Sequence, residues 1–148
     1  MSIPDDYKLS ANFEAWEARC RDGTDLPAEY LGNAEEVARE VLERIRRRIG
    51  VAMDVVSWYR TPAWNKRKGG KPKSGHLTAK AVDFRGRGRT PRWVHDQILD
   101  MYQIGELPVL GGLGLYGHPE DEFVHVDTMK APDGHLRRWV GRGVGSEP

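Results

Sequence analysis

The apolar positions between Ala34 and Ile49 recur at helical spacing. In "GNAEEVAREVLERIRRRIG", Val37, Val41 and Ile45 share a stripe with Ala38, Leu42 and Ile49. Asn33 stands in the capping position with Glu36 three residues on, and Gly50 supplies the stop. The pattern then changes to β-branched and aromatic residues, and "MDVVSWYR" predicts a strand. "TPAWNKRKGGKPKSG" carries no apolar period and reads as a long loop. "KAVDFRG" predicts a short strand. "TPRWVHDQILDMYQIG" predicts a second helix that opens at Pro91 and buries Val94, Ile98 and Met101. "GGLGLYG" and "EFVHVDTM" predict two more strands around the turn "HPED", and "GRGVGSEP" reads as a frayed end. This order of elements implies an α+β fold, a small mainly antiparallel sheet flanked by helices. No repeat or linker divides the chain, so residues 1–148 read as a single domain.

Composition adds boundaries to this picture. A chain of 148 residues, 39% hydrophobic with five Trp, can bury a core without staples. No apolar run is long enough to span a membrane, and "MSIPDDYKLS" lacks the basic and apolar pattern of a secretory signal. Cys20 is the only cysteine, which excludes an internal disulfide and a thiolate metal cluster. It lies in "ARCRDG", away from any His, and reads as structural.

The net charge is +1, unevenly placed. Residues 60–92 hold eleven Lys and Arg against one acid, Asp83, whereas residues 1–59 hold twelve acids against eight bases. The basic middle suits an anionic partner, such as nucleic acid or a carboxylate-bearing substrate, or is a solvated loop. As a nucleic-acid surface it lacks a known motif, and its aromatics do not alternate with its cations as a stacking platform requires.

Candidate chemistry sits in two segments, "SGHLTAKAVD" and "EFVHVD". In a strand, Phe123, His125 and Asp127 face one side and Val124 and Val126 the other. His76, Asp83 and His125 together supply two imidazoles and one carboxylate. That is a ligand set for zinc with one coordination position open to water. Glu122 precedes His125 by three, in reach of a general-base role if the chain there is still leaving the turn, since a regular strand would face it away. Asp121 is the alternative. His95, His118 and His135 have no motif support and read as surface residues, with His118 the substitute should one ligand be misassigned.

The order S-x-H-x-x-x-x-A-x-D followed by H-x-D resembles the zinc D-alanyl-D-alanine carboxypeptidases and L-alanyl-D-glutamate endopeptidases, peptidase family M15. Here it is carried by Ser74, His76, Ala81 and Asp83, then His125 and Asp127. The resemblance runs over most of the chain and is nearest to small phage-lysin-like members. It implies a Hedgehog/DD-peptidase-like fold, with zinc held by His76, Asp83 and His125 and Glu122 as the catalytic carboxylate. It also implies that Arg60 and Ser74 hold substrate, with Lys73 or Arg85 as alternatives for gripping a carboxylate. The implied partners are peptidoglycan stem peptides, acted on by a monomer with no nucleic-acid or membrane partner. The missing signal pattern implies a cytoplasmic location until release to the wall by lysis, a holin or a virion, or a cytoplasmic role on recycled wall fragments. The chain departs from the family at Ala79, where Gly is usual, and at Trp58, which either lines the cleft or packs in the core. The rival reading is a non-catalytic zinc-stabilised binding domain, because Hedgehog signalling domains share the fold.

Overall fold

The computed structural model describes residues 2–118 and 121–141, without the side chains of His118 and Asp121. Most of the "HPED" turn and of the "GRGVGSEP" end therefore lies outside the described residues. The elements combine α and β as the sequence implies. A two-stranded hairpin, β1 (Lys8–Ser10) and β2 (Phe13–Glu14), precedes the long helical stretch. That stretch runs through α1 (Leu31–Val37), a π-helical turn (Ala38–Leu42) and α2 (Glu43–Ile49). Gly50 closes it in the left-handed conformation, φ 71°.

Asn33 is not the cap of this helix. A 3-10 turn, Ala28–Tyr30, leads directly into α1, so the helix begins before Asn33 and leaves that side chain for another use. The stripe of Val37, Ala38, Val41, Leu42, Ile45 and Ile49 is buried as expected.

β3 (Met53–Ser57), β4 (Ala81–Gly86), β5 (Gly112–His118), β6 (Asp121–Asp127) and β7 (Arg137–Gly141) form one sheet in the order β3-β4-β6-β5-β7. Its pairs are antiparallel except β5 with β7, which is parallel. α4 (Pro91–Gln103), capped by Thr90 and packed on α2, covers one face. Val82, Phe84, Leu113, Val124 and Val126 meet the helices there in one core.

The stretch expected to be a long loop contains a helix, α3 (Pro62–Arg67). Thr61 accepts from the Trp64 N–H at 3.2 Å, and Pro62 sits at the first helical position where its missing N–H costs nothing. Six residues are too few to show an apolar period. β7 was also hidden from periodicity, because Arg137 and Trp139 point to the face away from the helices while Val140 is 74% exposed.

Candidate metal centre

The site is built on the sheet face away from the helices. β4 pairs with β6 so that Asp83 lies opposite His125 and Ala81 opposite Asp127. Strand periodicity then places Asp83 and His125 side by side on that face. His76 arrives from a 3-10 turn, Gly75–Thr78, whose N–H at His76 donates to Ser74 Oγ at 3.2 Å. Asn33 Nδ2 ties the turn to the long helix by donating to the Thr78 carbonyl at 3.0 Å. Ala79 leaves the turn at φ 63° and is the one non-glycine residue with positive φ among the described residues. An alanine in that region costs about 1–2 kcal/mol, and the surroundings hold it there. Its methyl is buried, and its carbonyl accepts from Trp58 Nε1 at 3.1 Å.

His76, Asp83 and His125 each offer a ligand atom, and these atoms lie within 4.8 Å of one another. All three side chains are buried. His76 Nδ1 is 2.6 Å from the Trp58 carbonyl, which can only accept. Nδ1 therefore carries the hydrogen and Nε2 presents a lone pair, 3.2 Å from Asp83 Oδ2. On the other side, His125 Nδ1 is 2.8 Å from Asp83 Oδ1. An imidazole lone pair and a carboxylate facing each other at such distances call for a cation between them. Two nitrogen donors and one oxygen donor could hold a borderline divalent metal ion.

With a proton in place of a metal ion among these atoms, the pKa shifts of Asp83 and His125 measure how strongly the triad attracts positive charge. Burial opposes ionisation of Asp83, but the His76 charge and the bonds from His125 and His76 outweigh it and hold the carboxyl well below its usual range. Burial likewise opposes a charge on His125, yet Asp127 and Asp83 reverse that and push the ring up to about 10.

Arg60 is 2% exposed and faces inward. Its Nε donates to Ser57 Oγ at 3.1 Å, Nη1 to Asn65 Oδ1 at 3.3 Å and Nη2 to Asp83 Oδ2 at 3.4 Å. A cavity of about 200 Å³ beside it is also lined by Trp64, Lys68, Asp83 and Phe123. A smaller one, about 40 Å³, lies on the far side of the triad against Lys73, Ser74, His125 and Trp139. Trp58 belongs to the core: fully buried, it packs edge to face on Phe13 at 6.3 Å between ring centres.

The structure does not bring Glu122 to the triad. β6 is already regular at Asp121, and Glu122 pairs with Gly117 in an unbroken ladder. Its side chain is thus on the Val124 and Val126 face, and exposed, which corrects the expectation that the chain there is still turning. Its carbonyl accepts from Arg85 Nε at 2.6 Å. His95 is also corrected: it is buried on α4, with Nδ1 2.9 Å from Asp96. His135 is exposed as expected.

A family model described as Peptidase M15 matches residues 9–127. The chain belongs to the peptidase M15 family. The matched span of this M15 member runs from β1 to the last residue of β6 and contains the whole triad. β7 lies beyond it. No curated protein matches the chain. No helix among the described residues of the M15 domain is long and apolar enough to cross a membrane. Two contributors to its centre escaped sequence reasoning. The Trp58 carbonyl is a backbone atom and leaves no trace in residue type. Arg137 sits on a strand that the hydrophobic pattern does not reveal.

Proposed function

We propose that this M15 family member is a zinc-dependent peptidase, a single domain that hydrolyses peptide bonds in bacterial peptidoglycan stem peptides. The bond is of the D-Ala-D-Ala carboxypeptidase or L-Ala-D-Glu endopeptidase type. The observation that carries this reading is the convergence of His76, Asp83 and His125, all buried, within 4.8 Å.

His76 Nε2, Asp83 and His125 Nδ1 are the groups that would hold zinc. Bound there, it supplies Lewis acidity, polarising a scissile carbonyl and lowering the pKa of a water. The chain's own groups bind and orient. Arg60 places a guanidinium at the wall of the larger cavity, where a substrate carboxylate is its natural partner. Lys68 lines the same wall and adds positive charge. Ser74 acts at the other cavity, where it also caps the turn that presents His76. Glu122 stands three residues before His125, where the resemblance puts the proton acceptor, but its side chain faces away from the triad and it is given no role in this reading. Stem peptides carry free carboxylates, which accounts for cations on both sides of the triad.

Mass spectrometry of purified peptidoglycan fragments incubated with the zinc-loaded protein tests the reading. The expected result is a product pair differing by one cleaved peptide bond, lost when the protein is stripped of metal. Intact fragments, with zinc bound one per chain, would instead establish a zinc-stabilised binding domain.

A further inference from the structure

The second nitrogen of His125 is as firmly engaged as the first. Nε2 lies 2.7 Å from Asp127 Oδ2. Asp127 is itself held at its other oxygen, which accepts from Arg137 Nη2 and from the Met129 N–H at 2.9 Å. Arg137 is fixed in turn, its Nε donating to the Met129 carbonyl at 3.1 Å. A carboxylate with both oxygens so occupied is not available to take a proton from substrate. It can set the state of the ring beside it.

The sheet is arranged to let this happen. Arg137 and Asp127 are both paired to Gly112, from opposite sides of β5, and Trp139 and His125 are both paired to Gly114. Two strands lie about 10 Å apart across an intervening one, so side chains on β7 reach β6 only by lying over β5. Glycine makes that possible. A Cβ at Gly112 would come 2.5 Å from Arg137 Nη2, and one at Gly114 would come 2.6 Å from Trp139 Cε2. The Trp139 ring rests 4.9 Å from the His125 ring, its Nε1 anchored on the Tyr116 hydroxyl at 2.8 Å.

We infer that Asp127, braced by Arg137, is a positioning residue that fixes the Nε2–H form of His125 and so aims its Nδ1 lone pair at the metal. The inference rests on the metal reading of the triad. Neither β7 residue lies within the matched family span. A metal-bound imidazole is usually oriented through its other nitrogen, and loss of such a partner weakens binding by roughly 10–100-fold.

Asp127→Asn is the discriminating change. The amide keeps the shape but has one acceptor. Arg137 and the Met129 N–H demand an acceptor on one side, which turns the NH₂ toward Nε2 and favours the Nδ1–H form. Zinc affinity is measured by competition with a chromophoric chelator, and the ring form by long-range proton–nitrogen NMR of the zinc-loaded protein. Asp127→Asn is expected to lose roughly 10–100-fold in zinc affinity. Arg137→Gln, one-third exposed in the wild type and the milder change, is expected to fall at the lower end of that range, with the unfolding temperature of the metal-free protein unchanged. Zinc affinities for both variants within threefold of wild type, or an unaltered ring spectrum in Asp127→Asn, would overturn the inference. If Asp127→Asn fails to fold, Arg137→Gln alone decides. A wild-type protein that takes up no zinc would overturn the metal reading, and the inference with it.

Discussion

Arg60 Nη2 stands 3.4 Å from Asp83 Oδ2 in the interior, both side chains almost wholly removed from water. One guanidinium thus braces a carboxylate of the candidate metal site, Ser57 and Asn65 together. Lysine keeps the charge but not the planar fork, so Arg60→Lys is expected to lower stability by about 1–3 kcal/mol, measured by chemical unfolding. Turnover of carboxylate-bearing peptides should fall with it. Amidating the substrate carboxylate should slow the wild type and leave Arg60→Ala indifferent. Equal sensitivity of the two would confine Arg60 to its structural contacts.

His125→Ala removes one of the three converging donors. Elemental analysis is expected to give one zinc per chain in the wild type and little in this variant. Chelation should also lower the wild-type unfolding temperature, because a ligand that binds only the folded state stabilises it. Full zinc occupancy in His125→Ala would move the ligand role elsewhere.

Glu122→Gln separates sequence position from geometry. Its side chain faces away from His125, so the variant is expected to retain turnover within about tenfold of wild type. Removal of a true general base costs roughly 100-fold or more. A loss of that size would show that the first residues of β6 leave their ladder when substrate binds.

Gly114→Ala sets a methyl against the indole of Trp139. Overpacking of this kind costs about 1–3 kcal/mol. In a Trp139→Ala background the same change should cost almost nothing, and thermal unfolding of the four proteins measures that coupling.

Glu43 ties the β1–β2 hairpin to the long helix. It accepts from Ser10 Oγ and the Asn12 N–H, each at 2.6 Å, and from Asn12 Nδ2 at 2.7 Å. Burial opposes its charge, yet the bonds from Asn12 and Ser10 lower its pKa below the ordinary carboxylate value. A lowered folded pKa contributes stability above the unfolded value, lost as pH falls through the folded one. Glu43→Gln is thus expected to be less stable than wild type at pH 7, with the gap closing in acid, as denaturant titrations across pH would report.

Much of this could be read from the chain. The long helix and α4 declared themselves because each repeats its apolar stripe over three or more turns, and β6 because its valines alternate with His125 and Asp127. The pairing of His76 and Asp83 with His125 followed from residue chemistry and motif order. What stayed hidden had physical reasons. α3 is too short for a period. β7 turns arginine to the face away from the helices, opposite to the usual pattern, because a carboxylate waits there. Asn33 has a capping residue's chemistry but spends it on Thr78. The face of Glu122 depended on where the ladder begins, which residue types alone do not fix.

The Trp58 carbonyl that orients His76 belongs to a residue whose indole is wedged against Phe13, near the start of the chain. Damage to the opening segment would therefore reach His76 through Trp58 and weaken the proposed grip on an ion. In a random-mutagenesis survey for inactive protein, Phe13 should score beside the three proposed ligands.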